Sequence, residues 1–350
     1  MKQLRLAETG FLPKAGKQTR KAVFLAEMDT VVPWSRLEAL IEPHYPKKGS
    51  GRPPMPLGTM LRIHFMQQWF GYSDPAMEEA LHDVPLLRRF AGLDAFEDVM
   101  PDESTILRFR HLLEQHDLAT AIFAEVAGPL SEKGMAMKRG TIVDATLIAA
   151  PSSTKNQDKQ RDPEMTQTKK SNQWHFGMTS RRRRTPAGRS REAGCGHERS
   201  EAAQVAHIGV DAQSGLVHTV IGTAGNVSDI SQAEALLHDD ETDVFGDAGY
   251  QGVEKREENI EVPVTWRVAM KPGKRKTLLG TALGNLLERI AHAKASIRAK
   301  VEHPFHVVKN PFGHRKTRYK GLAKNTAQLF SLFGLANLML ARRWLLNANT

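Results

Sequence analysis

The stretch T-I-V-D-A-T-L-I-A, residues 141–149, marks a change in the character of the chain. It is rich in residues that favour strands, and it carries one acid, Asp144, near its middle. The residues before it show helical patterns, and those after it mix strand and helix patterns. We therefore predict an α+β protein, with an N-terminal all-helical domain followed by a mixed sheet flanked by helices.

Residues 1–135 are predicted to form the helical domain. Helical patterns occupy residues 31–41, 57–70, 76–84, 86–91, 106–115 and 117–133. The acids Asp102 and Glu103 precede the fifth of these, where they favour the positive end of the helix dipole. Arginines and histidines on these helices suit either DNA binding or an ordinary solvated surface.

Residues 136–350 are predicted to form a second domain built on the sheet. Strands are expected at residues 141–149, 174–178, 206–211, 216–223, 243–245 and 262–270, with a loop at 151–172 and a helix at about 226–238. Residues 174–178 and 206–211 are expected to be two halves of one interrupted strand, and this strand is expected to be antiparallel to those at 141–149 and 216–223. Residues 327–346 are apolar but contain Arg342 and Arg343, so we predict a buried terminal helix rather than a membrane span.

The composition is that of a soluble globular protein with an excess of positive charge. The net charge of +10 and the pI near 9.7 indicate a polyanionic partner, of which nucleic acid is the commonest. The single Cys195 excludes an internal disulfide framework and a multi-cysteine zinc site. The N-terminus lacks the apolar core of a signal peptide. We expect a cytoplasmic, nucleoid-associated protein.

Residues 179–205 differ in composition from both flanks. They contain a run of four arginines at 181–184, no lysine and the only cysteine. Removing residues 180–205 joins W-H-F-G-M-T to A-H-I-G-V-D, with apolar residues alternating unbroken through the junction. We hypothesise that 180–205 is an in-frame insertion. The alternative is a natural basic loop that binds DNA, and the arginine run favours nonspecific DNA binding in either case.

A late helix carries several charged residues in the stretch R-A-K-V-E-H-P-F-H-V-V-K at 298–309. It continues an apolar stripe at positions 286, 290, 293, 297 and 301, which has helical spacing. Arg298 and Glu302 are four residues apart and lie on one face. Lys309 returns to that face if the helix continues past Pro304. Taken alone, this pattern also suits a surface ion pair.

Three acids have contexts that suit a metal site: Asp144 in a strand, Asp247 at the tip of a later strand, and Glu302 on the late helix. Mg²⁺ prefers oxygen ligands and keeps positions open for phosphates. Two such ions about 4 Å apart can activate a water or a 3′-hydroxyl for phosphoryl transfer. Each acid alone also suits a cap or a turn, especially Asp247 in D-A-G-Y. Together they predict a single site.

Several motifs carry a resemblance to a known family. They are T-I-V-D-A-T, A-H-I-G-V-D-A-Q-S-G-L-V-H-T-V, G-T-A-G-N-V-S-D, D-A-G-Y-Q-G, and the stretch at 298–309 followed by F-G-H-R-K-T-R-Y-K-G-L-A-K-N. The chain resembles the DDE transposases of bacterial insertion sequences, in the insertion-sequence four/five group. The group's late signature is Tyr, two residues, Arg, three residues, Glu, six residues, Lys. Arg298, Glu302 and Lys309 fill the last three positions, and Ala295 stands in place of the tyrosine.

The resemblance implies a ribonuclease-H-like catalytic domain. It implies that Asp144, Asp247 and Glu302 hold two Mg²⁺ ions, for which Mn²⁺ can substitute, and that Arg298 and Lys309 contact phosphate or hold Glu302. The implied reaction is hydrolytic nicking at the element ends, followed by attack of the freed 3′-OH on target DNA without a covalent protein–DNA intermediate. The implied partners are double-stranded DNA, as terminal repeats and target, and further copies of the chain in a homo-oligomer.

Other residues give weaker indications. The basic stretch Arg315, Lys316, Arg318 and Lys320, with Tyr319 available for stacking, suits either a contact with the DNA backbone or a solvated charged turn. His303, His306 and His314 lack a partner cluster, so we expect core or phosphate contacts. Asn226 and Asp229 are expected to cap a helix.

Two further functions remain open from the sequence. If the segment 180–205 disrupts the metal geometry, the chain is a catalytically silent DNA-binding remnant of a transposase. A metal-dependent nuclease without transposition would share the same three acids and differ only in substrate.

Overall fold

The computed structural model describes residues 18–47, 49, 53–94, 98–130, 132, 135, 140–150, 165–170, 173–178, 201–225, 227–238, 240–260, 262–271, 273 and 282–348. Of the hypothesised insertion, residues 201–205 fall within this range and residues 180–200 lie outside it.

The N-terminal part consists of helices joined by short loops, as predicted. They are α1 Arg20–Val31, α2 Trp34–Ile41, α3 Leu57–Phe70, α4 Asp74–Asp83, α5 Pro85–Ala91, α6 Glu103–Gln115 and α7 Leu118–Leu130. The side chains of Thr19, Ser73 and Asp102 cap α1, α4 and α6 by accepting hydrogen bonds from backbone N–H groups. The sequence analysis did not predict α1, because only Leu25, Met28 and Val31 form its buried face and the apolar pattern is therefore short.

The second part is built on a seven-stranded mixed sheet. Its strands are β1 Gly140–Ala150, β2 Met165–Lys170, β3 Gln173–Met178, β4 Glu201–Asp211, β5 Val217–Ala224, β6 Asp243–Gly246 and β7 Thr265–Val268. The predicted antiparallel trio is confirmed, because β4 pairs antiparallel with both β1 and β5. On the other side of β1, β6 and then β7 add in parallel. The central order is therefore β5-β4-β1-β6-β7.

Two local predictions in this part were wrong. The loop expected at residues 151–172 contains β2, which forms an antiparallel hairpin with β3. Its sequence, M-T-Q-T-K-K, lacks an apolar alternation, so the pairing with β3 could not be foreseen. The helix expected at about 226–238 is instead two 3₁₀ turns, Asp229–Gln232 and Glu234–Leu236. Ala233 and Leu236 are buried three residues apart, which matches the 3₁₀ repeat.

The strands on either side of the hypothesised insertion lie next to each other. β3 pairs in parallel with the start of β4, through His175↔Glu201, Phe176↔Ala202 and Gly177↔Ala203. In each pair, the two residues are separated in the sequence by the same number of positions as the segment 180–205 contains. Deleting that segment would therefore move Phe176 into the position of Ala202 beside β1. The apolar face expected at positions 206, 208 and 210 is confirmed, since all three side chains are buried in the core.

After the short helix α8, Glu257–Ile260, the late helix is divided. It consists of α9 Ala282–Arg298, a 3₁₀ turn Ala299–Val301 and α10 Glu302–Lys309. The helix continues past Pro304, because this proline lies in the first turn of α10, where no backbone hydrogen bond is lost. The apolar stripe packs only at its end: Val301 is fully buried, whereas Leu286 is 53% and Ile290 45% exposed.

The last helix, α11 Leu322–Ala348, joins the two parts. It packs against α7, α1 and β5, and the side chains on both parts form one hydrophobic cluster. By length and composition it could cross a membrane, but Leu329 and Phe333 are fully buried in this core. The buried terminal helix is confirmed. The boundary at residues 135 and 136 stays a prediction.

Candidate active site

The first of the three acids, Asp144 on β1, has a side chain that is only 16% exposed. Its Oδ1 accepts a hydrogen bond from the N–H of Ala145 at 2.8 Å, and its Oδ2 accepts one from Arg298 at 3.2 Å. Burial is the main reason that the pKa of Asp144 is raised to about 6, and the negative charges of Asp247 and Glu302 raise it further. The Ala145 N–H and the Arg298 guanidinium oppose this rise.

The sheet register brings Asp247 alongside Asp144. β6 pairs in parallel with β1 through Gly140↔Asp243 and Ile142↔Phe245. Continued for two residues, this register sets Asp144 beside Asp247, about one strand spacing of 4.8 Å away. Asp247 also begins a turn, since its Oδ1 accepts from the N–H of Gly249 at 2.7 Å. The turn-forming interpretation therefore holds for this residue, and within the described residues no hydrogen bond to its Oδ2 is formed.

The third acid, Glu302, is the exposed first residue of α10. The 3₁₀ turn between α9 and α10 sets its position, and Val301, at the end of that turn, is fully buried. Glu302 is close enough to Asp144 for its charge to raise the pKa of that carboxyl. Three carboxylates that come from positions 144, 247 and 302 therefore meet at one place.

Two cations accompany the acids. Arg298 forms an ion pair with Asp144, although the sequence analysis expected it to contact phosphate or Glu302. The Nζ of Lys309 donates to the hydroxyl of Thr146. Because Thr146 lies two residues after Asp144 on β1, both side chains are on the same face of the sheet. Lys309 is thus held next to the acids.

Two residues near the acids, Tyr250 and Asp229, were not assigned to the site by the sequence analysis. Tyr250, in the D-A-G-Y motif, is 1% exposed, and burial followed by the charges of Asp229, Asp144 and Asp247 raises its pKa. Asp229 was expected to cap a helix, but Ser228 is the N-cap residue of that 3₁₀ turn. Instead, Asp229 lies 3.8 Å from Nδ1 of the buried His207. Because Tyr250 belongs to the D-A-G-Y motif that begins with Asp247, its place near the site could have been predicted from the sequence.

The donor set fits hard divalent cations. All three predicted ligands offer carboxylate oxygens, which Mg²⁺ and Mn²⁺ prefer. Besides burial, which is the main cause, the charges of Asp247 and Glu302 raise the pKa of Asp144, and a cation between the three acids would remove that repulsion. Asp144, Asp247 and Glu302 are the residues that would hold such ions.

The predicted basic stretch divides into two groups. Arg315, Lys316 and Lys320 are exposed. Backbone hydrogen bonds from Ala149 to the Arg315 carbonyl and from Thr317 to the Ala149 carbonyl fix this loop to the end of β1. Arg315 and Lys316 therefore lie beside the end of β1, the strand that carries Asp144.

The second group faces the N-terminal helices rather than solvent. Arg318 donates to the Tyr72 carbonyl, and burial lowers its pKa. The ring of Tyr319, expected to be free for stacking on a base, is stacked on the Arg110 guanidinium at 4.1 Å. These two residues join the sheet to the helices, a role that only the packing of distant segments could reveal.

The histidines differ in position. His303 and His306 are exposed on α10, whereas His314 is buried, and burial lowers its pKa to about 3. His314 therefore belongs to the core, which was one of the two expectations. Asn226 lies outside the described residues.

A mixed sheet in the order β5-β4-β1-β6-β7, with acids on its two central strands and on a following helix, defines a DNA-processing domain of the ribonuclease-H type. Residues 136–338 match the family model described as Transposase DDE domain, and residues 13–112 match Transposase domain (DUF772). No solved structure matches the chain. Because the first match covers more than half of it, the chain belongs to the DDE transposase family, with a DUF772 N-terminal domain.

Membership of this family implies transposase function and DNA binding. It also implies the use of divalent metal ions, with which the carboxylate set agrees.

Proposed function

We propose that this protein is a transposase of the insertion-sequence four/five group. It cleaves DNA at the ends of its element in a reaction that needs two Mg²⁺ ions, and it transfers the freed 3′-OH to target DNA. Asp144, Asp247 and Glu302 are the metal ligands. The active complex is a homo-oligomer, because two element ends must be held together. It acts in the cytoplasm, on the DNA of the nucleoid.

The observation that carries this proposal is the nearness of Asp247 and Glu302 to Asp144. Burial raises the pKa of Asp144, and the charges of the other two acids raise it further, so the metal-free site concentrates negative charge. Structural acids are usually paired with cations, but among the residues that the structure describes only Arg298 forms an ion pair with Asp144, and its side chain is 31% exposed. Such an arrangement favours metal binding over a structural role.

When bound, the two ions supply an activated oxygen nucleophile and stabilise the leaving oxygen. The chain's own residues orient the reactants. Arg298 fixes the carboxylate of Asp144, and Ala145 holds its other oxygen. Lys309, held by Thr146, is within the site to contact a scissile or neighbouring phosphate. The exposed cations at the end of β1 extend this positive surface along the DNA backbone.

The alternative, a silent DNA-binding remnant, depends on damage by the segment 180–205. The β1–β4 ladder argues against such damage, because it runs unbroken from Thr141↔Asp211 to Ala150↔Ala202, and Asp144 pairs opposite Ile208 within it. Residues 204 and 205 are buried, so the end of the segment fills the strand position beside β1. This favours an active site that tolerates the segment.

The test is strand transfer from a labelled duplex that carries the inverted repeat flanking the gene, with Mg²⁺ or Mn²⁺. We expect cleavage with a 3′-OH end and joining to target DNA. Asp247→Asn should abolish both without loss of DNA binding. Asp243→Asn is the matched control, because Asp243 lies on the same strand but pairs with Arg267 at the surface.

The outcomes separate the candidate functions. Footprinting of the repeat without cleavage would support the remnant, and cleavage without joining would support a nuclease. Activity in Asp247→Asn would contradict the assigned ligands. A protein with residues 180–205 deleted tests the insertion hypothesis: lost activity would identify the segment as a necessary loop, and retained or increased activity would support an insertion.

A further inference from the structure

A second cluster of metal-binding side chains lies away from the three acids. It comprises His218 on β5, His238 after the second 3₁₀ turn, and Glu241 before β6. One ligand atom from each lies within 4.8 Å of the other two. The rings of His218 and His238 meet edge to face, with centroids 4.8 Å apart.

The hydrogen bonds within this cluster leave one oxygen of a buried carboxylate unused. Oε1 of Glu241 accepts from the Thr141 hydroxyl at 3.0 Å and from the His238 backbone N–H at 2.8 Å. Nε2 of His238 lies 3.4 Å from the same oxygen but makes no hydrogen bond. Oε2 of Glu241 is buried and has no hydrogen bond within the described part of the chain, and the Glu241 side chain is only 1% exposed. A buried carboxylate oxygen without a hydrogen bond is costly unless a ligand binds it.

The cluster is separate from the candidate active site. The Thr141 hydroxyl lies 3.1 Å from Nε2 of His218, so the cluster occupies the face of β1 to which Thr141 points. Asp144 is three residues further along the strand and points to the opposite face. Three residues of strand also span about 10 Å. An ion bound by one set is therefore not shared with the other.

We propose that His218, His238 and Glu241 bind one Zn²⁺ ion. Two imidazole nitrogens and a carboxylate form a ligand set typical of zinc, whereas Mg²⁺ prefers oxygen ligands alone. In a tetrahedral site with metal–ligand distances near 2.1 Å, ligand atoms are about 3.4 Å apart. A contraction of about 1.4 Å from the largest present spacing, 4.8 Å, is therefore sufficient. The fourth position would remain for a water molecule.

The ion would have a structural effect on the neighbouring strands. Its ligands come from β5, from the 3₁₀ segment and from the residues just before β6. Binding would tie these three segments together at the start of β6, the strand that ends next to Asp247. The site thus supports the position of Asp247, one of the proposed metal ligands of the active site.

The test is Zn²⁺ binding by the full chain after removal of metals with EDTA, followed by titration with Zn²⁺ alone and detection by calorimetry. Co²⁺ in place of Zn²⁺ provides an absorption spectrum that reports the coordination geometry. We expect one Zn²⁺ per chain and a higher melting temperature with the ion. His238→Ala and Glu241→Gln should weaken binding by more than the roughly 100-fold that loss of an outer-shell partner costs.

Two matched controls should keep their affinity. His111→Ala removes an exposed histidine on α6, and Asp144→Ala removes the central acid of the active site. Glu241→Gln retains the shape of the side chain and an acceptor for Thr141, so it remains informative if His238→Ala fails to fold. No Zn²⁺ uptake by the folded protein, unchanged binding in both cluster variants, or binding lost in Asp144→Ala would each overturn the proposal. Because no DNA is present, the result does not depend on transposase activity.

Discussion

Replacing Asp144 with asparagine is expected to stabilise the metal-free protein near neutral pH. Folding raises the pKa of this carboxyl from 3.8 to about 6, because it becomes buried near Asp247 and Glu302. A shift of about two units corresponds to an unfavourable contribution of about 3 kcal/mol when the group is ionised. Asparagine has nearly the same shape, still accepts from Ala145 and carries no charge.

The sign of the pH dependence follows from the raised pKa. Between about pH 4 and pH 6 the folded wild type holds a proton on Asp144 that the unfolded chain has released. The contribution of Asp144 to the free energy of unfolding is therefore complete below about pH 4, and it is lost as the pH rises through about 6. The advantage of Asp144→Asn should be absent near pH 4 and largest near pH 7.

The assay is thermal unfolding in EDTA from about pH 4 to pH 8. With an unfolding entropy proportional to chain length, about 3 kcal/mol corresponds to a rise of roughly 4 °C in the melting temperature. Loss of the ion pair with Arg298 reduces this gain slightly, since that guanidinium is partly exposed. In excess Mg²⁺ the wild type should have the higher melting temperature, because it binds the ion more tightly than Asp144→Asn does.

Asp243→Asn is the control, since Asp243 pairs with Arg267 at the protein surface and should lose a little stability at neutral pH. The reasoning is refuted if Asp144→Asn is no more stable than wild type at neutral pH in EDTA. It is also refuted if the gain is the same near pH 4 and near pH 7.

Three other substitutions test the DNA surface and the packing. Lys320→Ala should weaken binding to all DNA sequences alike and reduce the slope of log affinity against log salt by about 1, and an unchanged slope would exclude a phosphate contact. Gly209→Ala should lower the melting temperature, because its added Cβ would lie 2.4 Å from the Leu236 carbonyl oxygen, and an unchanged value would contradict this close packing. Asn337→Ala should cost about 2 kcal/mol or more in urea unfolding, since its amide pairs with both backbone groups of Val217, and a cost near zero would mean that water replaces it.

Much of the fold followed from local pattern. The apolar periodicity at residues 57–70 predicted α3 with its observed bounds, and the alternation at 206–211 predicted the buried face of β4. These predictions succeed because helix and strand periods are properties of short segments. The pattern failed where pairing came from elsewhere, as in β2, and where a sequence fitted two helix types, as at residues 229–236.

The sequence by itself determined which acids were candidates, because strand and helix contexts, together with the resemblance to a family, singled out Asp144, Asp247 and Glu302. Only the tertiary structure decided that Arg298 pairs with Asp144, and that Arg318 and Tyr319 bind the helices instead of facing DNA. It also brought His218, His238 and Glu241 together. The physical reason is that such contacts join residues distant in the chain, and their distances are set by sheet register and helix packing rather than by local spacing.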